Sequence, residues 1–218
     1  MTATIAGATG LIGSYLLEEL LNDHYFDTVR VLTRRPLDIT HPKLEKKLVD
    51  FEDADSLLVA LANTDVLFCT VGTTQKKVKG DKIAYRKVDY DIPVNLARYC
   101  KLAGCEKFIL VSSVGANSKS NNFYLQLKGE TEDAVKAVGL QSLHIMQPSM
   151  LLGNRKEART GERIGQVVMK AVSFLLPAKY KPVQGRDVAK AMVTASKTNR
   201  TGTTIYSHKA IMTLLLNS

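Results

Sequence analysis

A phenol and an ammonium group lie four residues apart at Tyr124 and Lys128, a spacing that puts both side chains on one face of a helix. A tyrosine that exchanges a proton near neutral pH needs a pKa below its ordinary value of about 10, and a neighbouring positive charge lowers it. The pair therefore predicts an acid–base site in which Tyr124 gives or takes a proton and Lys128 supplies charge. A surface tyrosine beside a solvated lysine is the alternative.

Two serines, Ser112 and Ser113, directly follow the apolar run Phe108–Val111, and Tyr124 comes eleven residues after the second of them. Ligands of parallel sheets bind at the carboxyl ends of the strands, so a hydroxyl here can hydrogen-bond a substrate oxygen and orient it. We assign that role to Ser113, with Ser112 as the competing assignment.

Three glycines recur at three-residue spacing near the start of the chain, after an apolar run and before an amphipathic one. Glycine allows a tight turn, close approach of a pyrophosphate to backbone N–H groups, and close packing of helix on strand, while the helix N-terminus adds partial positive charge. We therefore predict that this loop binds a dinucleotide, with an unliganded glycine-rich turn as the alternative. The residues that we expect to contact the cofactor here are Gly7, Thr9, Gly10, Leu11, Ile12 and Gly13.

The second apolar run ends in Thr33, Arg34 and Arg35, with no carboxylate where one would bind the 2′-hydroxyl of an adenosine ribose. Guanidinium groups instead offer charge-assisted hydrogen bonds to a 2′-phosphate. The predicted cofactor is NADP(H), bound chiefly by Arg34, with Arg35 assisting or stacking on adenine. A solvated turn is the alternative interpretation of both arginines.

Strands and helices alternate along the chain, which predicts an α/β fold with a doubly wound parallel sheet. We expect a single domain over residues 1–218, with residues 150–218 contributing a substrate-side region. The predicted strands are 2–6, 28–33, 48–49, 65–70, 107–112 and 142–146, and the predicted helices are 11–21, 53–61, 85–103, 121–138 and, less regularly, 161–175 and 186–197.

Composition excludes several classes of protein. Hydrophobic residues make up 45% and charged residues 23% of the 218 residues, as in soluble globular proteins. No apolar run reaches the roughly 18 residues of a membrane span, and residues 1–7 do not resemble a secretory signal. The three cysteines are odd in number and lack Cys-x-x-Cys spacing, so we expect a reduced, cytoplasmic protein without disulfides.

The formal net charge is +9, but the basic residues are dispersed and aromatic residues make up only 6%, so we expect no nucleic-acid partner. Four scattered histidines without ligand spacing predict no metal site. One basic cluster either covers the active-site cleft and attracts an acidic substrate or forms a solvated helix start; its members are Arg155, Lys156, Arg159 and Arg163.

Several segments resemble the Tat-interacting-protein branch of the extended and atypical short-chain dehydrogenase/reductases, and the resemblance runs through nearly the whole chain. They are Val49–Glu52, Phe68–Cys69 with Gly72–Thr74, Val88–Asp91, Ser112–Ala116, Tyr124–Glu130 and Gly153–Glu162.

The resemblance implies a Rossmann fold, bound NADP(H), and Ser113, Tyr124 and Lys128 in the roles given above, with Lys128 also holding the nicotinamide ribose. It further implies that Asp50 and Phe51 bracket the adenine, and that the turn Val71–Gly72–Thr73 lines the adenosine ribose and the pyrophosphate.

Two positions depart from related proteins. Extended relatives often carry Asn at the position of Asp89, so a proton relay through Asn is not supported. Many relatives have Arg-Pro where this chain has Gln147–Pro148, which removes a cation from the substrate side.

The sequence thus predicts an NADP(H)-dependent oxidoreductase acting on a small carbonyl or alcohol, as a homodimer or with a regulatory protein partner. Two alternatives stay open: an NADPH-binding sensor with little turnover, and a nucleotide-sugar epimerase or dehydratase. The short segment after residue 150 disfavours the second of these.

Overall fold

Seven parallel strands form the main sheet of the computed structural model, which describes residues 1–153 and 180–216. From one edge to the other they are β3 (Leu44–Leu48), β2 (Thr28–Thr33), β1 (Thr2–Ala6), β4 (Val66–Cys69), β5 (Lys107–Val111), β6 (Ser142–Met146) and β9 (Gly202–Tyr206). A separate parallel pair consists of β7 (Leu151–Leu152) and β8 (Val183–Gln184).

The direction in which strands are added reverses between β1 and β4. The chain runs outward through β2 and β3, returns to pair β4 with the other side of β1, and continues through β5 and β6. Thr4 of β1 is therefore paired with both Arg30 and Leu67. A crevice outside the carboxyl ends of the strands at such a reversal is where ligands bind in this class of fold. The predicted doubly wound parallel sheet is confirmed.

Helices cover both faces of the sheet. They are α1 (Leu11–Asn22), α2 (Ala54–Leu61), α3 (Lys82–Arg86), a π-helical turn (Lys87–Asp91), α4 (Ile92–Leu102), α5 (Phe123–Ala137), α6 (Gly185–Ser196) and α7 (His208–Leu215). Apolar side chains of α1, α6 and α7 pack in one core cluster, and those of α2, α4 and α5 pack in a second. Within the described residues, no helix combines the length and apolarity needed to cross a membrane.

One predicted helix is interrupted. Residues 85–103 were expected to form a single helix, whereas the structure divides them among α3, the π-helical turn and α4. Pro93, near the start of α4, is the physical reason, since proline carries no N–H for the carbonyl four residues earlier. The predicted strand 48–49 is also displaced, to Leu44–Leu48, and the predicted helix 161–175 lies outside the described residues.

Candidate active site

The glycine loop joins β1 to α1 at the reversal of the sheet. Gly7 has a φ of +94°, and a Cβ there would lie 2.7 Å from the carbonyl carbon of Thr70. A Cβ on Gly13 would lie 2.1 Å from the Gly7 oxygen. The protein's own packing therefore requires these two glycines. Gly10 differs, because it is exposed and a Cβ there would approach the Gly7 oxygen only to 3.3 Å.

Backbone donors are available at the start of α1. Gly10 is the N-cap, no side chain of the described residues caps the helix, and no acidic residue lies in its first turn. The first N–H groups of a helix have no partner within it, so those of Leu11 and Ile12 are free to bind an anion, with the helix dipole adding to their attraction. Thr9 is exposed beside them.

Two guanidinium groups lie at the carboxyl end of β2. Arg34 and Arg35 are exposed, and among the described residues neither side chain has a hydrogen bond or ion pair. Thr33 shapes this turn, since its Oγ1 donates to the Arg35 carbonyl at 2.7 Å. Asp27 precedes β2 and pairs with the amino group of Met1, so it does not neutralise the arginines.

The segments after β3 and β4 carry the residues expected around the adenosine. Asp50 is exposed, and its Oδ1 accepts the N–H of Glu52 at 2.9 Å. The side chain of Phe51 is buried in the core beside α2. Val71 is half-buried, and the N–H of Thr73 donates to Asp89 Oδ2 at 2.7 Å. Gly72 directly precedes Thr73. Contacts of a cofactor with these residues after β3 and β4 stay predictions.

Helix α5 carries three polar side chains along one face at successive four-residue intervals, Tyr124, Lys128 and Glu132. Asn122 begins the helix by accepting the N–H of Leu125 at 3.1 Å. The Nζ of Lys128 lies 6.0 Å from the centroid of the Tyr124 ring, so the expected pair shares one face. Tyr124 is half-buried, whereas Lys128 and Glu132 are buried.

Lys128 forms a buried ion pair in which its Nζ lies 2.8 Å from Asp89 Oδ1. Burial lowers the pKa of Lys128, but the negative charges of Asp89 and of a Tyr124 phenolate outweigh it, and the net pKa is raised. Lys128 is therefore an ammonium group at neutral pH. Sequence reasoning noticed Asp89 only as a departure from relatives and missed this contact.

The two serines differ in their surroundings. Ser112 is buried, and its Oγ donates to Glu132 Oε1 at 2.5 Å. Ser113 is half-buried, and its Oγ contacts only the neighbouring Val114 carbonyl, at 3.3 Å, among the described residues. Gln147 completes the carboxylate's surroundings, since its Nε2 donates to Glu132 Oε1 at 2.9 Å. This arrangement favours Ser113 as the hydroxyl available to a substrate.

The loop after β5 lies directly on α5. The N–H of Asn117 donates to the Leu125 carbonyl at 3.0 Å, and a Cβ on Gly129 would lie 2.1 Å from the nitrogen of Ser118. The loop that begins at Ser113 is thereby held against the helix that carries Tyr124.

Other titratable groups are less suited to chemistry. Burial raises the pKa of the Cys69 thiol to about 11, and all three cysteines are free and buried. Within the described residues, no group of three His, Cys, Asp or Glu side chains could hold a metal ion. The basic cluster Arg155–Arg163 lies outside those residues.

Comparison with known proteins supports an NAD(P)H-binding fold. An NAD(P)H-binding family model matches residues 7–199. Protein HTATIP2 of Rattus norvegicus is 37% identical over 161 residues, which cover 72% of this chain and 66% of that protein. The mitochondrial protein FMP52 of Candida albicans is 32% identical over 201 residues, which cover 88% and 86%.

Solved structures share the fold. The DesIV double mutant, a dTDP-glucose 4,6-dehydratase from Streptomyces venezuelae with NAD and DAU bound, gives a TM-score of 0.74 at 17% identity over 100% of this chain and 80% of that one. The UDP-glucose 4-epimerase of Thermus thermophilus in complex with NAD gives 0.71 at 18% identity over 99% and 83%. Such identities establish a common fold and no more.

One expectation is wrong. The cysteine content suggested a cytoplasmic protein, but the FMP52 relatives from Candida albicans, Candida glabrata, Debaryomyces hansenii and Aspergillus fumigatus are named as mitochondrial proteins. Buried, unpaired thiols do not identify a compartment, because a mitochondrial protein can keep them reduced equally well.

The family match over residues 7–199 and the identity to HTATIP2 and FMP52 show that the chain belongs to the NAD(P)H-binding family, in the atypical short-chain dehydrogenase/reductase branch that contains these two proteins.

Proposed function

We propose that this protein is an NADP(H)-dependent oxidoreductase that interconverts a carbonyl and an alcohol, with Tyr124 as the acid–base residue. The observation that carries the proposal is the shared face of α5, where Tyr124 lies beside the charged Lys128. The loop of Ser113 packs against the same helix, and the glycine loop opens at the same edge of the sheet.

The residues at the start of α1 fit a dinucleotide. Uncapped N–H groups, an exposed Gly10 and the absence of a first-turn carboxylate suit a pyrophosphate. Arg34 and Arg35 would hold a 2′-phosphate, and Lys128 would hold the nicotinamide ribose. When bound, the nicotinamide supplies or accepts the hydride.

Each side chain of the site has a separate task. Tyr124 gives its proton to the carbonyl oxygen during reduction and takes a proton from the alcohol during oxidation. Lys128 stabilises the phenolate, because its ammonium group is positively charged at neutral pH and lies close to the ring. Ser113 donates a hydrogen bond that orients the substrate oxygen.

The test is oxidation of NADPH in the presence of a panel of aldehydes, ketones and quinones. Tyr124→Phe should lower turnover by roughly 10²- to 10⁴-fold, the usual contribution of general acid–base catalysis, and should still bind NADPH. Tyr25→Phe is the matched control, because Tyr25 is exposed between α1 and β2, at the amino ends of the strands. NADPH binding without turnover on any substrate would instead support a cofactor-sensing protein.

The relatives' names also motivate a proposal on location. We propose that this protein resides in mitochondria, as the names of its FMP52 relatives state for those proteins. Cell fractionation with immunodetection tests this, and recovery only outside the mitochondrial fraction would contradict it.

A further inference from the structure

Asp89 has both of its carboxylate oxygens engaged, and it is 1% exposed. Oδ1 lies 2.8 Å from the Nζ of Lys128. Oδ2 accepts the N–H of Thr73 at 2.7 Å. A single side chain thus joins the lysine of α5 to the turn that follows β4.

The backbone around Asp89 is built to hold it in this place. Asp89 is the middle residue of the π-helical turn, and such turns often occur at functional sites. The residue four positions later is Pro93, which has no N–H to give to the Asp89 carbonyl. The Oγ1 of Thr131 lies 3.1 Å from that carbonyl and 2.8 Å from the Leu127 carbonyl, between which its single proton is shared. Helix α5 thus contacts both the backbone and the side chain of Asp89.

Asp89 is the strongest of the charged groups that favour the ammonium form of Lys128. The charged or titratable groups that act on Lys128 are Asp89 from the π-helical turn, Tyr124 from its own helix and Cys69 from β4. Cys69 is a neutral thiol, because burial raises its pKa to about 11. Without Asp89, burial alone would favour the uncharged amine, as it does for buried lysines in general.

We infer that Asp89 is the positioning residue of this site: its carboxylate fixes the Lys128 ammonium group against the turn after β4 and keeps it charged. The inference rests on the proposed function for its catalytic meaning, but its physical content can be measured without cofactor or substrate. Asp89 touches neither substrate nor cofactor in this assignment, and it acts through Lys128.

The direct test is an NMR titration of protein labelled with ¹³C-lysine, in which the Lys128 Cε signal is assigned by its loss in Lys128→Arg. Asp89→Asn should lower the Lys128 pKa by about one unit or more. Asp91→Asn is the matched control, since it removes the same charge from an exposed position in the same turn, and it should leave the titration unchanged. An unchanged Lys128 titration in Asp89→Asn, or an equal shift in Asp91→Asn, overturns the inference.

A second measurement covers the case in which Asp89→Asn does not fold. The double variant Asp89→Asn/Lys128→Met removes both charges and leaves no unpaired buried ion, so it should fold and should melt at a higher temperature than Lys128→Met alone. A double variant that is no more stable than Lys128→Met would contradict the pairing.

Enzyme assays then separate the inference from the proposed function. In Asp89→Asn, NADPH-dependent turnover should fall on the alkaline side of the pH profile, where Lys128 loses its proton. A shifted Lys128 titration in a protein with no turnover under any condition would uphold Asp89 as the positioning residue and reject the oxidoreductase.

Discussion

The hydroxyl of Ser112 donates a 2.5 Å hydrogen bond to the buried carboxylate of Glu132. The two adjacent serines therefore differ: Ser112 is hydrogen-bonded in the interior, whereas the hydroxyl of Ser113 is available to a ligand. The carboxylate itself is satisfied by Ser112 and Gln147 and faces Lys136 Nζ at 3.5 Å. Gln147 is thus a neutral donor that is directed inward to this carboxylate.

Substituting the serines one at a time should produce two different defects. Ser113→Ala should lower turnover by roughly 10-fold or more with unchanged melting, since it removes one hydrogen bond to the substrate. Ser112→Ala should cost about 1–3 kcal/mol of stability, because a buried acceptor loses its donor. Steady-state kinetics and urea denaturation of both variants measure the two effects. A catalytic loss larger in Ser112→Ala would reverse the assignment.

The glycines of the loop should separate binding from folding. Gly10→Val should abolish NADPH binding by calorimetry while the domain stays folded, because its side chain would occupy the approach of the pyrophosphate. Gly13→Ala should instead lower the melting temperature sharply, since a Cβ there would lie 2.1 Å from the Gly7 oxygen. If Gly10→Val binds NADPH normally, the loop is only structural.

Arg34 should decide which dinucleotide binds. We expect NADPH to bind at least about tenfold tighter than NADH, because one charge-assisted contact is worth about 1.5–3 kcal/mol. Arg34→Ala should remove most of that preference by weakening NADPH and leaving NADH nearly unchanged, and Arg35→Ala should have a smaller effect. The exposed Arg98 of α4 provides the control Arg98→Ala, and calorimetry with both cofactors measures all four proteins. Equal affinities of the unmodified protein for NADPH and NADH would support the alternative that both arginines belong to a solvated turn.

His144 should make stability depend on pH. It is buried between Ser142 and Tyr206, and burial, together with the positive charges of Lys107 and Arg200, lowers its pKa to about 4. Between about pH 6.5 and about pH 4 the unfolded chain binds a proton that the folded protein does not, so stability present above the unfolded pKa is lost as the pH falls.

Between about pH 7 and about pH 4.5, His144 should account for a loss of about 2–3 kcal/mol in the free energy of unfolding. Urea denaturation of the unmodified protein and of His144→Gln at these two pH values measures this loss. His24→Gln alters an exposed histidine and should keep the full pH dependence. A His144→Gln protein that loses stability as steeply as the unmodified one would contradict this origin.

The sheet and the glycine loop could be predicted from the sequence because their signals are local. β1, β2 and β6 have the predicted bounds, since each is a short apolar or β-branched run with turn residues on both sides. β9 was not predicted, because Gly202–Tyr206 is mostly exposed along an edge and has only two apolar residues, Ile205 and Tyr206. The strand with which β9 pairs is β6, which lies far away in the sequence.

The candidate site was predicted as residue types rather than as contacts. The four-residue spacing identified Tyr124 and Lys128, and the same spacing extended by one step would have pointed to Glu132. The Asp89–Lys128 pair was out of reach, because it depends on a π-helical turn that no propensity scale predicts and on a tertiary contact between two helices.

The packing of α6 on α1 links the two ends of the described chain. Arg186 Nη2 lies 2.9 Å from Glu18 Oε1, and a Cβ on Gly185 would lie 3.0 Å from Cγ of Leu11. Helix α1 is thus covered by residues that follow it by more than 150 positions in the sequence. During synthesis, a nascent chain that ends near residue 150 lacks this cover, so the packing around α1 is completed only after α6 has left the ribosome.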